Sequence, residues 1–306
     1  MSNGEQIFKA NGVNLCVETF GTAGDPTILL IHGASASMLW WEAELCERIA
    51  AAGRHVIRFD NRDTGRSVSY PPGRPEYALP DMADDAVGIL DTLGIDVAHF
   101  VGRSMAGGIV IAAAQQHPGR VASMTLVSTT AAGEELPPMS TEFLDYVGAG
   151  TPDPEDHPAV VEYVVGLMRV YSAGSPYFDE GGMRTLAEQD VARTVNIAAC
   201  LVNHFVIDTA GSNRQPLSAL GIPTLVVHGE RDPVFPLPHG KALQQAIPGA
   251  ELLVLSQAGH ELPPQLWDVF VPALTKHTSR PVTQQSLSYA AERVTQATAR
   301  NSANGA

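Results

Sequence analysis

A short apolar run, Ala98 to Val101, leads into Gly102-Arg-Ser-Met-Ala-Gly107 and then into the small apolar residues of 108–114. No other stretch constrains the chain as much, because this one demands a strand, a very sharp turn and a helix in quick succession, with Ser104 at the apex. Such an elbow holds its central residue in a sparsely populated backbone conformation. That is tolerable only where the residues two before and two after carry almost no side chain, a condition that Gly102 and Ala106 meet. The geometry lifts a hydroxyl clear of the sheet edge at a helix N-terminus, where free N–H groups and the helix dipole favour developing negative charge. The same residues also suit a plain strand-to-helix turn, so their meaning depends on partners elsewhere.

The surrounding rhythm fits a sheet built around that turn. Ile7 to Lys9 and 13–19 flank Asn11-Gly12, a strong hairpin signal, so the chain is expected to open with an antiparallel pair. Short, nearly continuous apolar runs follow at 27–31, 56–60, 98–101, 124–128, 224–228 and 252–255, as expected of strands covered on both faces. Helical patterns at 41–52, 81–93, 107–117, 239–247 and 265–276 alternate with them. The fold class is therefore α/β, a mostly parallel, doubly wound sheet.

Between Ala131 and Pro216 the strand signal vanishes, and helical pieces are punctuated by Pro137-Pro138, Pro152, Pro154, Pro158 and Pro176. The stretch is too long for a loop, which predicts an inserted helical cap over 131–216 on a core of 1–130 and 217–277. From Pro137 to Arg214 it carries eleven acidic and four basic residues, a balance of −7. Tyr146, Met168, Tyr171, Tyr177, Phe178 and Phe205 either pack this cap or line a pocket. In the tail, 278–306, Leu287, Ala290, Val294 and Ala297 fall on one helical face.

Composition narrows the function. With 306 residues, 44% hydrophobic and only 17% charged, the chain can bury a large core. A net charge of −14 argues against nucleic acid or an anionic membrane as partner. A small-molecule substrate is the default, and the sequence leaves association into a homo-oligomer open. The widely spaced Cys16, Cys46 and Cys200 read as free buried thiols. Met-Ser-Asn-Gly-Glu-Gln has neither a basic start nor an apolar signal core, and no apolar run reaches membrane-spanning length, so cytoplasm is expected. There is no His-Glu-x-x-His, no paired-cysteine spacing, no dinucleotide fingerprint and no phosphate loop, which predicts chemistry without a metal or cofactor.

A serine hydroxyl is a poor nucleophile until a base takes its proton, and that base needs a third group to fix its tautomer. His260 stands in Gln257-Ala-Gly-His directly after the last strand, and Asp232 stands in Gly229-Glu-Arg-Asp-Pro233 after the strand before it. Pro233 turns Asp232 away from helical geometry, with Glu230 as its competitor. Nucleophile, acid and base thus each follow a strand and precede a helix. The oxyanion donors must be backbone N–H groups. Met105 supplies one, and the small-residue loop His32-Gly-Ala-Ser-Ala36 supplies the second from Ala34, or from its neighbour Gly33. Asp60, Arg62, Asp63 and Arg66 read as loop-locking ion pairs rather than as a catalytic cluster.

The elbow, His32-Gly33, the segment Phe59-Asp-Asn-Arg-Asp-Thr-Gly-Arg-Ser67, Gly229-Glu-Arg-Asp-Pro233 and Ala258-Gly-His260 together resemble the α/β-hydrolase fold family, over about Gln6 to His277. The stretch from Arg58 to Ser67 and Pro238-His-Gly-Lys241 are most similar to the aclacinomycin methylesterase type of serine esterase, which removes a methyl ester from an anthracycline polyketide. The resemblance implies Ser104, Asp232 and His260 as the triad, Ala34 and Met105 as oxyanion donors, and hydrolysis of a carboxylic ester without a cofactor; the cap is the least similar region, so the substrate does not transfer with it, and its acidic balance predicts a hydrophobic ester that is not anionic. Two departures stand out. Ala106 replaces the glycine usual two residues after the nucleophile, and Arg103 puts a charge beside it that calls for an acidic partner the sequence does not identify. Lactone opening, carbon–carbon bond hydrolysis and cofactor-free perhydrolysis remain alternatives on the same triad. A ligand receptor on a hydrolase fold is the alternative outside catalysis.

Overall fold

The computed structural model describes residues 2–131, 135–209 and 215–279. Strands β1 (Gln6–Ala10) and β2 (Val13–Phe20) form the expected hairpin. Its turn residues, Asn11 at φ 46° and Gly12 at φ 81°, supply the two positive values that a tight hairpin turn requires. Next come β3 (Thr27–Ile31), helix α1 (Ala43–Ala51), β4 (His55–Phe59), α2 (Leu79–Thr92), β5 (Ala98–Arg103), α3 (Ala106–Gln116) and β6 (Val121–Val127). Among the described residues four α-helices follow before the next strand: α4 (Thr141–Gly148), α5 (His157–Ser172), α6 (Glu180–Arg193) and α7 (Ile197–Val202). The chain then completes the sheet with β7 (Thr224–Gly229), α8 (Pro238–Ala246), β8 (Glu251–Leu255) and α9 (Trp267–His277). The expected terminal helix through Leu287 and Ala297 lies outside the described residues.

Among the described residues the sheet has eight strands, in the order β1-β2-β4-β3-β5-β6-β7-β8. β2 pairs antiparallel with β1 and β4, and every later pairing is parallel. Strands β3, β4, β5, β6 and β7 are buried along their whole length, which is why their sequences run apolar without alternation. Within them, alternate residues still serve opposite faces. Leu29, Ile31, Met124 and Leu126 pack with Met82, Ile89 and Val110 on the α2–α3 side. Ile28, Leu30, Val101 and Val227 pack with Leu45, Trp41, Trp267 and Phe270 on the α1–α9 side. A register slip of one residue would exchange these sets, so two covered faces fix the register.

The helical segment between β6 and β7 has a small core of its own, in which Val160, Val165, Ala187, Val191 and Leu201 pack together. It meets the rest of the chain through an apolar cluster, in which Phe143 and Val170 pack with Val234, and through polar contacts. From α6, Arg193 forms ion pairs with Asp60 at 2.6 Å and Glu5 at 2.7 Å. The indole N–H of Trp40 donates to Asp190 at 2.6 Å. Asn203 donates to Asp63 at 2.9 Å, and the amide of Val195 donates to the Gly65 carbonyl. The loop of Asp60, Arg62, Asp63 and Arg66 is locked as the sequence suggested, yet mostly by partners from far along the chain. Arg62 pairs with Asp85 on α2, and Asp63 accepts from Tyr77 Oη.

Candidate active site

Ser104 lies between the end of β5 and the start of α3 with φ 54°, in the left-handed region that the elbow requires. Gly102 is obligatory there, because a methyl group at that position would overlap the Ala106 carbonyl and the Val110 side chain. Ala106 is fully buried and its methyl is accommodated. Sequence reasoning missed Gly107, whose close packing on the Thr129 side chain brings α3 onto the end of β6.

His260 follows β8, and Asp232 follows β7. Asp232 Oδ2 accepts from His260 Nδ1 at 2.8 Å, and Oδ1 accepts from the backbone N–H groups of Val234 and Phe235 at 2.9 Å each. Burial alone would push this carboxyl up, but the His260 and His228 imidazoles and the Phe235 N–H outweigh it and hold it below the usual aspartate range. Glu230 is exposed and accepts from Ser256 Oγ and the Gln257 N–H, so it shapes the base loop from outside. A proton on His260 Nδ1 leaves Nε2 as the basic nitrogen. Nε2 is buried without a hydrogen-bond partner, and His260 lines the same cavity as Ser104. The His260 amide donates to the Tyr171 carbonyl at 2.8 Å, and its ring lies 4.8 Å from the Tyr171 ring and 5.8 Å from the Phe235 ring, centroid to centroid.

The loop after β3 reaches the same place. Gly33, Ala34 and Met105 all line the cavity. A Cβ on Gly33 would stand 2.9 Å from Ser104 Cβ, so the backbone approaches the serine as closely as a bare glycine allows. Ser35 has φ 54°, and its N–H donates to His204 Nδ1 at 3.1 Å, while His204 Nε2 donates to the Arg62 carbonyl at 2.8 Å. His204 therefore braces the loop from the inserted segment. Nothing in its local sequence signals this, because its contacts are made 142 and 169 residues away.

The cavity has a volume of about 220 Å³. Besides the residues already named it is walled by apolar side chains from the inserted segment, among them Met139, Phe143, Leu167, Met168, Leu201 and Phe205. A second cavity, also about 220 Å³, shares Trp40, Arg103 and Met168 with the first and adds Glu42, Asp179, Tyr177, Phe178 and Glu261. Burial pushes the Glu42 and Glu261 carboxyls up. Arg103 corrects an expectation: among the described residues no carboxylate lies within ion-pair distance of it, and its guanidinium instead contacts the His260 carbonyl and the His32 ring. No group of three or more His, Cys, Asp or Glu side chains among the described residues is arranged to hold a metal ion, and no described helix is long and apolar enough to cross a membrane.

Comparison with known proteins is consistent with this geometry. The alpha/beta hydrolase fold family matches residues 26–265. Rhodomycin D methylesterase DauP of Streptomyces sp. (strain C5) is 30% identical, over 87% of this chain and 95% of that protein. A 2-hydroxy-6-oxononadienedioate/2-hydroxy-6-oxononatrienedioate hydrolase of Paraburkholderia phymatum is also 30% identical, over 78% of this chain and 82% of that one. The solved structure of the esterase RhEst1 from Rhodococcus sp. ECU1013 superposes with a TM-score of 0.72 at 21% identity, over 90% of this chain and 98% of that one.

Proposed function

The chain belongs to the α/β-hydrolase fold family, and from that premise we propose that it hydrolyses a carboxylic ester through an acyl-enzyme on Ser104. His260 Nε2 takes the Ser104 hydroxyl proton as Oγ attacks the ester carbonyl carbon. Asp232 stays ionised, fixes the imidazole through Nδ1 and offsets the positive charge that forms there. The N–H groups of Ala34 and Met105, with Gly33 as the neighbouring donor, hold the oxyanion. Collapse of the tetrahedral intermediate expels the alcohol with the proton from Nε2. Water then attacks the acyl carbon, giving its proton to the same nitrogen, and the carboxylic acid leaves Ser104 restored.

One observation carries the reading: the 2.8 Å contact from His260 Nδ1 to Asp232 leaves the other ring nitrogen basic, buried and unpartnered in the cavity that Ser104 lines. The segment that carries α4–α7 acts in this reading as a cap, since apolar side chains of α4, α5 and α7, among them Phe143, Leu167 and Leu201, line that cavity. The substrate is a predominantly apolar ester without negative charge, in keeping with the wall and with the acidic balance of the inserted segment. The methylesterase relative supports a small alkyl ester as the bond cleaved. Ser104→Ala should lower turnover of activated p-nitrophenyl esters by on the order of a millionfold with folding intact. Equal rates for variant and parent would end the proposal.

The similarity to an enzyme named as an oxononadienedioate hydrolase favours a second reading, carbon–carbon bond hydrolysis at the same serine. Mass spectrometry of the products from a panel of esters, lactones and vinylogous diketones separates the two. A receptor reading predicts tight retention of an uncleaved ligand instead of turnover.

A further inference from the structure

The two cavities at the candidate site share a wall. Trp40, Arg103 and Met168 line both, so their side chains stand between the space that holds Ser104 and the space beyond. Each cavity measures about 220 Å³. Pockets that enclose a drug-sized ligand run from about 300 to about 1,000 Å³. Either space alone falls short of that range, and the two joined fall inside it.

Trp40 gives the wall its bulk. It closes a turn of 3₁₀ helix, Met38–Trp40, and the Met38 N–H donates to Asp60 at 2.8 Å. At the other end of the side chain the indole N–H donates to Asp190 at 2.6 Å, and both residues are only 8% exposed. The backbone of Trp40 is thus fixed by the loop after β4, and the far edge of its ring by α6 of the inserted segment. A side chain with two torsions, held at both ends, has little freedom to swing aside. Arg103 is tethered by the His260 carbonyl and the His32 ring. Met168, on α5, is half-buried, and its unbranched side chain adapts to whatever lies beside it. Beyond the wall, α6 contributes Met183 and Leu186, and the loop after the base contributes Leu262 and Pro263. That space has room for an apolar chain, and none of the acyl-transfer steps uses it.

Resting on the acyl-transfer reading, we propose that Trp40 determines specificity by chain length: its ring, held by Asp190, confines the substrate of Ser104 to the first cavity and keeps the second out of reach. Esters whose acyl or alcohol chain outgrows the first cavity are poor substrates. Removing the ring joins the two spaces and admits them.

The test measures kcat/KM in the full chain for p-nitrophenyl esters from acetate to octanoate, which lengthen the acyl side, and for n-alkyl acetates from methyl to octyl, which lengthen the alcohol side. In the parent the long esters of at least one series should be poor substrates. Trp40→Ala should raise the long-to-short ratio in that series by about 10-fold or more, while Trp40→Phe, which keeps most of the wall, should stay near the parent. A ratio taken within one protein does not depend on how much of it is folded, so a packing defect alone leaves it in place. Met168→Ala thins the same wall from α5 without touching the Asp190 contact. It should raise the ratio in the same direction, and it carries the test if Trp40→Ala does not fold. Ratios that coincide in the parent and both alanine variants overturn the proposal, as does a Trp40→Phe ratio as high as that of Trp40→Ala. A parent that shows no Ser104-dependent hydrolysis of any ester defeats the acyl-transfer reading instead. The wall is then decided by displacement of the neutral dye N-phenyl-1-naphthylamine by n-alkanols from Ser104→Ala, with and without Trp40→Ala: longer alkanols should gain affinity only where the ring is gone, and equal gains in both would overturn the division.

Discussion

Ser104 at φ 54° occupies a conformation that costs a non-glycine residue on the order of 1–3 kcal/mol, and it persists because its neighbours leave no alternative. The small residues on either side are therefore as informative as the serine. Gly102→Ala should destabilise the protein by about 1–3 kcal/mol in urea denaturation, since the added methyl meets the Ala106 carbonyl and cannot be relieved without moving α3 off β5; an unchanged midpoint would contradict this. Asp232 makes a pH-dependent prediction. Its folded-state carboxyl is held below the unfolded value, so its contribution to stability is present above the unfolded value and is lost as pH falls through the folded one. Asp232→Asn should melt below the parent near neutrality, with the gap closing in acid, and a gap independent of pH would count against the arrangement. At this scale Ser104, Asp232 and His260 could be picked out as candidates because each stands in the loop that follows a strand. Arg103 was legible as a charge but not as a bridge. Its partners are a carbonyl and a ring nitrogen from other strand ends, and sequence chemistry leads the eye to carboxylates.

Among the elements, α6 shows how the inserted segment is held. Of its residues only Ala187, Asp190 and Val191 are buried, so it has little apolar stripe with which to dock. Two polar residues make its contacts with the body: Asp190 receives the Trp40 indole N–H, and Arg193 reaches Asp60 and Glu5. Arg193→Met leaves the Asp60 carboxyl buried without its cation, and breaking such a pair costs about 3–5 kcal/mol. Guanidinium denaturation should report a loss of that size, and a loss below about 1 kcal/mol would mean the pair acts as an exposed one. The helices that cover the sheet could be placed from periodicity to within about two residues, because their apolar faces answer to a regular surface. The attachments of α6 could not, since they join residues more than a hundred positions apart.

For the whole molecule, a sheet covered on both faces brings the ends of β3, β5, β7 and β8 to one rim, where ligands of open parallel sheets bind. The short, nearly continuous apolar runs of the strands made that architecture readable. Substrate identity was not readable, because the inserted segment's share of the cavity wall comes from residues that follow no single period. Charge is the exception. The molecule carries −14 overall, and Glu42, Asp179 and Glu261 line the second cavity, with Arg103 as the one cation lining it among the described residues. Matched esters bearing an amino or a carboxylate substituent should therefore differ in kcat/KM, with the amino form preferred and the preference shrinking as salt is added. Preference for the carboxylate form would reject that account of the site. The central claim, that one serine among many is activated by a distant imidazole and carboxylate, is tested most directly by intact-protein mass after exposure to a fluorophosphonate, with peptide mapping of the adduct. A single adduct on Ser104, absent from Ser104→Ala and slowed in His260→Ala, is the predicted result; no adduct, or one on another residue, would contradict it.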